Sequence, residues 1–177
     1  MSATKMGSEK AGTERGISHF ELKNEQDTAQ FAQAVSQAYD NKSGLNDGLI
    51  IYLEGDLGAG KSFFSRAFIQ QYLPGERVKS PTYTIVESYQ AVDLMIHHFD
   101  LYRIYDTEEL EYLAIKDLFI DRYIALVEWP QKGAPIFPKA DILIDIHYSE
   151  SLSNEVRKVD VQGLSVLGQA VVEGIEF

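Results

Sequence analysis

Residues 55–62 read Gly-Asp-Leu-Gly-Ala-Gly-Lys-Ser and match the phosphate-binding loop pattern G-x-x-x-x-G-K-[ST] without a mismatch. The apolar run 49–53 before this loop is long enough for a buried strand, and residues 62–69 after it carry apolar side chains at helical spacing. A glycine-rich turn between a strand and a helix directs backbone N–H groups at one point, where the helix dipole adds partial positive charge. The stretch therefore predicts a phosphate site, with Lys61 on the β- and γ-phosphates and Ser62 on Mg²⁺.

The composition indicates one globular domain. The chain has 177 residues, of which 45% are hydrophobic and none is cysteine, so cysteine-based sites are excluded and a reducing cytoplasm is compatible. Residues 1–18 are polar and lack the apolar stretch of a signal peptide, and no run approaches the ~20 apolar residues of a membrane span. We predict a disordered extension over 1–18, a P-loop ATPase domain over 19–177 and a cytoplasmic protein without membrane contact. The formal net charge of −11 disfavours broad nucleic-acid binding by this chain alone.

The periodicity of the remaining chain predicts an α/β fold. Asn24 is a candidate N-cap for a helix whose apolar stripe ends at Tyr39. The aromatic and β-branched runs 83–89 and 94–99 predict a hairpin, and the almost purely apolar run 123–127 is typical of a central parallel strand. Further strands are expected at 141–146 and 156–161, and short helices at 107–113 and 164–172. We predict a P-loop NTPase-like domain with a mostly parallel central sheet, an antiparallel part, and helices on both faces.

Acidic side chains follow two of these strands. A P-loop protein that hydrolyses or transfers phosphate needs a second acidic metal partner, and Glu128 directly after run 123–127 is the candidate. Asp100 closes run 94–99 in the same way, where a carboxylate points toward the ligand crevice and could position the attacking water or contact a metal. Thr82 lies between the P-loop helix and the next strand, a place that often hosts a γ-phosphate sensor, although Ser-Pro-Thr is also ordinary turn chemistry.

Three further side chains are ambiguous. Trp129, the only tryptophan, follows Glu128 and fits either a core or rim aromatic or a ligand contact. His97 and His98 occupy adjacent strand positions, so they point to opposite faces and cannot both bind one metal ion. We interpret both histidines as ordinary strand residues.

Four sequence blocks together resemble the TsaE (YjeE) family. They are the loop at 55–62, Val-Lys-Ser-Pro-Thr-Tyr-Thr-Ile-Val-Glu at 78–87, His-Phe-Asp-Leu-Tyr-Arg at 98–103 and Leu-Val-Glu-Trp-Pro at 126–130. The resemblance covers roughly residues 19–160. It implies a bacterial ATPase that uses ATP and Mg²⁺ in threonylcarbamoylation of the adenosine beside the anticodon of tRNA. It also implies that the chain works with a TsaB–TsaD pair and meets tRNA only through that complex.

The resemblance assigns residues by position. Ser62 and Glu128 are the implied metal ligands, with Ser62 where the family usually has Thr, and Asp100 and Thr82 join Glu128 in the catalytic set. The implied nucleotide contacts are Leu57, Gly58, Ala59, Gly60, Lys61, Ser62, Phe63 and Trp129, with Glu25 near the adenine and the loop around Leu152 closing the pocket.

Other nucleotide-binding classes remain open from the sequence. A small-molecule kinase usually has an arginine-bearing lid, and Arg103 and Arg122 do not form an arginine-rich segment. A GTPase needs N-K-x-D after the P-loop, whereas Asn41 and Lys42 precede it and lack the Asp. A non-catalytic module gated by nucleotide would use the same residues. Because no arginine finger is evident, we expect slow hydrolysis alone and partner stimulation on the order of 10³-fold.

Overall fold

The computed structural model describes residues 11–14, 16–42, 44, 48–149 and 156–177. In this described part, eight strands form one sheet: β1 (Ala11–Glu14), β2 (Ile17–Leu22), β3 (Leu49–Glu54), β4 (Val86–Ala91), β5 (Leu94–Asp100), β6 (Tyr123–Glu128), β7 (Ile142–Tyr148) and β8 (Arg157–Gly163). The helices are α1 (Glu25–Lys42), α2 (Lys61–Tyr72), α3 (Glu108–Tyr112) and α4 (Val166–Glu173), with 3₁₀ turns η1 (Ile115–Leu118) and η2 (Pro130–Lys132).

The sheet has a parallel centre and antiparallel flanks, in the order β1-β2-β8-β7-β3-β6-β5-β4. The pairs of β3 with β7, β3 with β6, and β6 with β5 are parallel. All other pairs are antiparallel. The predicted α/β class with a parallel centre and an antiparallel part is confirmed. The strand β3, which leads into the P-loop, lies in the middle of the parallel centre, where both neighbours supply carboxyl-terminal ends to the same edge.

Helices cover both faces of the sheet, as predicted, but unequally. One face packs alternate residues of β3, such as Ile51 and Leu53, against α1, α2 and α4. The other face packs Ile50 and Phe99 against α3 and η1 together with the loop around Phe137. Because α3 has only five residues, loops and short turns provide much of the second cover. None of the described helices has both the length and the apolar character that crossing a membrane requires.

Several element boundaries differ from the predictions. We predicted that residues 1–18 are disordered, but residues 11–14 form β1 and residues 17–18 begin β2. The prediction for residues 1–10 lies outside the described residues. β4 begins at Val86 rather than at Tyr83 because Ile85 has φ 68°, which strand geometry does not allow. Asn24 caps α1 as predicted, since its Oδ1 accepts a 2.9 Å hydrogen bond from the Asp27 N–H.

Candidate functional site

The turn between β3 and α2 has the backbone shape that its glycines predict. Gly55, Gly58 and Gly60 have φ values of 128°, 79° and 115°, a region that side-chain-bearing residues rarely occupy. At Gly55 a Cβ atom would lie 2.0 Å from the carbonyl oxygen of Ile146. The turn is therefore tight against β7, and α2 starts at Lys61 with its first N–H groups at the end of the loop.

Lys61 is buried and lies across its own loop. Its Nζ donates hydrogen bonds to the carbonyl oxygens of Gly55 at 2.7 Å and Asp56 at 2.8 Å. The same ammonium stands 4.2 Å from the ring centroid of Trp129, a cation–π distance. Burial lowers the pKa of Lys61, while the carboxylates of Glu128 and Asp100 oppose that shift. A phosphate placed on this loop would meet a cation that is already beside it.

Glu128 ends β6 and is 2% exposed. Its Oε2 accepts a 2.8 Å hydrogen bond from the hydroxyl of Ser62, the second residue of α2. Its Oε1 lies 2.6 Å from Nε2 of His98 and accepts a longer, 3.4 Å bond from Ser65. The predicted metal ligands Ser62 and Glu128 are thus brought together. Both offer oxygen atoms, which are the donors Mg²⁺ prefers, beside the amino end of a helix that favours phosphate.

Asp100 ends β5 directly beside Glu128 in the parallel register. Its Oδ1 accepts a hydrogen bond from the Tyr102 N–H at 3.1 Å, and its Oδ2 accepts one from the Thr82 hydroxyl at 3.4 Å. Burial, together with the neighbouring charge of Glu128, raises the pKa of Asp100. The pair of carboxylates at adjacent strand ends is the arrangement that the sequence predicted.

These groups line one cavity of about 380 Å³. Its walls are Leu57, Gly58, Gly60, Lys61, Ser62, Phe63, Ser80, Thr82, Asp100, Tyr102, Arg103, Glu128 and Trp129. Most of the predicted site residues are therefore in one place. We call this cavity the P-loop cleft.

Two of the predicted contacts lie outside the cleft wall that the described residues form. Ala59 is buried, and its carbonyl oxygen accepts a 3.0 Å bond from Nε of Arg157. Glu25 is exposed as the first residue of α1 and is absent from the cleft lining. Leu152 lies outside the described residues.

The interpretation of His97 and His98 as ordinary strand residues stays a prediction, but the structure brings His98 against a predicted metal ligand. His98 contacts Glu128, whereas His97 faces away from the site and pairs through Nδ1 with the Ser88 hydroxyl at 2.8 Å. A signal was present in the sequence, because residues two apart on a strand share a face and His98 precedes Asp100 by two. Ser65 was missed as well, although its spacing of three from Ser62 places both on one side of α2.

Aromatic and cationic side chains form the rim of the cleft. Tyr102 packs on Trp129 with ring centroids 5.0 Å apart, and Arg103 stacks over the ring of Tyr83 at 4.6 Å. Arg103 lines the cleft, although no arginine finger is evident in the sequence. Its guanidinium is engaged with the exposed Tyr83 ring in this structure.

Comparisons with known proteins agree with the fold and the motifs. A family model described as "Threonylcarbamoyl adenosine biosynthesis protein TsaE" matches residues 22–159. The tRNA threonylcarbamoyladenosine biosynthesis protein TsaE of Haemophilus influenzae is 40% identical over 81% of this chain and 85% of its own length. Its counterpart from Aquifex aeolicus is 31% identical over 77% of this chain and 91% of its own. A crystal structure of Bacillus subtilis YdiB superimposes with a TM-score of 0.66 at 21% identity, covering 90% of this chain and 93% of that one.

Proposed function

This chain belongs to the TsaE family, and on that premise we propose that it binds ATP with Mg²⁺ in the P-loop cleft and hydrolyses it slowly. In this proposal the chain acts with a TsaB–TsaD-like pair in threonylcarbamoylation of the adenosine next to the anticodon of tRNA. The observation that carries the proposal is the convergence of Lys61, Ser62, Asp100 and Glu128 on one cleft.

The loop and α2 are suited to hold the phosphates. Backbone N–H groups at the start of α2 are unpaired within the helix and point at the loop. Lys61 would exchange its bonds to the Gly55 and Asp56 carbonyls for phosphate oxygens, which are charged and therefore stronger acceptors. Trp129 would remain beside the ammonium and keep water from one side of it.

Ser62 and Glu128 would hold Mg²⁺, which when bound neutralises charge on the β- and γ-phosphates. The two side chains supply only part of an octahedral shell, as is usual where phosphates and water provide the rest. Asp100 would accept a proton from a water molecule or orient it, because burial raises the pKa of Asp100 and so makes its carboxylate a stronger base. Thr82 would hold Asp100 and approach the terminal phosphate from the other side.

The charge of the chain supports an indirect relation to tRNA. A formal net charge of −11 repels a phosphate backbone, so a partner would hold the nucleic acid. Slow turnover in isolation and acceleration in a complex are expected, because Arg103, which lines the described part of the cleft wall, is stacked on Tyr83.

The test is ATP hydrolysis by this chain, alone and with a TsaB–TsaD pair. We compare the wild type with Lys61→Ala and with Lys139→Ala, an exposed lysine outside the cleft lining, as the matched control. Partner-dependent turnover that is lost only in Lys61→Ala supports the proposal. Turnover indifferent to the pair favours a small-molecule kinase and a screen of acceptors. Tight ATP binding without turnover under any condition favours a nucleotide-gated binding module.

A further inference from the structure

We propose that His98 and Ser65 are positioning residues that orient the Glu128 carboxylate, so that Oε2 faces Ser62 and the magnesium position while Oε1 is held away. This inference rests on the proposed function and assigns a role to two residues outside the P-loop pattern. It concerns which oxygen of the Glu128 carboxylate is free to bind the metal ion, and the affinity of the site for that ion.

The group is buried and its contacts are short. His98 is 1% exposed, Glu128 2% and Ser65 0%. Nε2 of His98 is 2.6 Å from Oε1, and Ser65 adds a 3.4 Å bond to the same oxygen. A buried carboxylate without water needs such donors, because an unpaired charge in the interior is costly.

The fold places both residues without help from loops. His98 is in register with Leu126 on the neighbouring strand, and Leu126 shares a face of β6 with Glu128 two residues later. Ser65 lies nearly one turn after Ser62 on α2, so the helix presents both hydroxyls to one carboxylate. Sheet and helix therefore hold Glu128 from two directions.

The hydrogen-bond pattern assigns the histidine proton. Nδ1 of His98 has no hydrogen-bond partner among the described residues, whereas Nε2 faces a carboxylate oxygen. A carboxylate only accepts, so the proton belongs on Nε2 and is donated to Oε1. With Oε1 accepting from His98 and Ser65, Oε2 is left with the Ser62 hydroxyl at 2.8 Å. Donating to Oε2 leaves the lone pairs of Ser62 Oγ for a cation.

The first experiment measures how much Mg²⁺ tightens binding of a fluorescent ADP analogue. Each protein is titrated in EDTA and in excess Mg²⁺. Loss of a partner that orients a metal ligand typically costs 10–100-fold in metal affinity. We expect His98→Phe to lose Mg²⁺-dependent tightening on about that scale, with its affinity in EDTA unchanged. Ser65→Ala should show a smaller loss, because its bond is long.

Conservative and control variants separate positioning from packing. His98→Gln keeps an amide donor near the place of Nε2 and should retain much of the Mg²⁺ effect. His97→Gln changes an equally buried histidine on the other face of β5, with its ring bonded to Ser88, and should leave the Mg²⁺ effect as in the wild type. Equal Mg²⁺ effects in the wild type and His98→Phe would overturn the proposal.

The second measurement does not depend on nucleotide binding. Ring ¹⁵N NMR of the nucleotide-free wild type should show a proton on Nε2 of His98, assigned by its disappearance in His98→Gln. An Nε2 without a proton would overturn the proposal. A wild type that binds no nucleotide would defeat the proposed function together with this inference. If Mg²⁺ tightens nucleotide binding equally in the wild type and in His98→Phe, only this inference is defeated.

Discussion

Two groups of side chains lie at the wall of the P-loop cleft or directly behind it, and they are held in different ways. The Glu128 group, defined as Ser62, Ser65, His98 and Glu128, comes entirely from β5, β6 and α2. The two shortest hydrogen bonds within the group, from His98 and Ser62 to Glu128, are 2.6 and 2.8 Å long. Every residue of the group except Ser62 is buried. Regular elements hold this group in place before any ligand arrives.

The Asp100 group, defined as Ser80, Thr82 and Asp100, depends on the loop before β4. Thr82 reaches Asp100 only at 3.4 Å, and its hydroxyl is shared with the exposed Ser80 at 2.7 Å. The loop ends at Ile85, a β-branched residue with φ 68°, whose carbonyl accepts from the Asp100 N–H at 3.0 Å. The side of the cleft that is proposed to hold the metal is therefore preorganised, while the side that would meet the terminal phosphate and water is loosely held.

The largest effect is expected from Glu128→Ala. The substitution leaves Ser62, Ser65 and His98 without their acceptor, and leaving buried hydrogen-bond donors unpaired costs about 1–3 kcal/mol. Chemical denaturation should show that loss of unfolding free energy, and ATP turnover should stop. Glu76→Ala, an exposed glutamate outside the cleft, is the control. Normal turnover in Glu128→Ala would remove Glu128 from the mechanism.

Asp100→Ala should separate hydrolysis from binding. Loss of a group that handles the proton of the attacking water lowers turnover by about 10²-fold or more, whereas the phosphate contacts of Lys61 remain. Paired assays of ATP affinity and turnover check this split. If ATP affinity fell as far as turnover, Asp100 would be a binding residue, and the contrast between the two groups would be lost.

Asp100→Asn should make the chain more stable at neutral pH. Burial raises the pKa of Asp100, so the folded state binds its proton more readily than the unfolded state. The stability contributed by that protonated form is present at low pH and is lost as pH rises through the raised pKa. The variant should therefore exceed the wild type in unfolding free energy at pH 7, and the difference should shrink as the pH is lowered through that value. Denaturation curves at several pH values check the trend, and a difference independent of pH would contradict it.

The smallest effect is expected at Ile85. Asn tolerates a positive φ better than a β-branched residue does. Ile85→Asn therefore loses apolar contacts but relieves about 1 kcal/mol of backbone strain, so the unfolding free energy should change little. Val86→Asn makes a similar change at a half-buried neighbour in regular strand geometry and should cost more unfolding free energy. Equal costs at both positions would show that Ile85 is not strained.

The sequence predicted the parts of the site that local chemistry specifies. Glycine spacing in residues 55–60 requires positive φ, and an apolar run followed by Glu128 places a carboxylate at a strand end. Those inferences need only neighbours in the chain. Strand β1 and the first two residues of β2 were missed because residues 1–18 are polar, and these strands are held by pairing with each other and with β8 rather than by an apolar pattern.

Spacing in the sequence could place His98 on the same face of β5 as Asp100, but it could not predict the contact of His98 with Glu128. Alternation along β5 assigns His97 and His98 to opposite faces, but it does not say which face meets α2 or which strand lies alongside. Both depend on the position of β6 between β3 and β5 in the sheet. This strand order is set by packing between segments that are far apart in the sequence.

By itself, the sequence determined a glycine-rich turn between a strand and a helix, and carboxylates at the ends of two strands. Backbone geometry and side-chain alternation act over a few residues, so these features follow from the chain order. Only the tertiary structure decided that His98 and Ser65 hold one oxygen of Glu128, leaving the other to Ser62. Hydrogen bonds across 30 and 63 positions of the chain exist only once sheet order and helix docking are set.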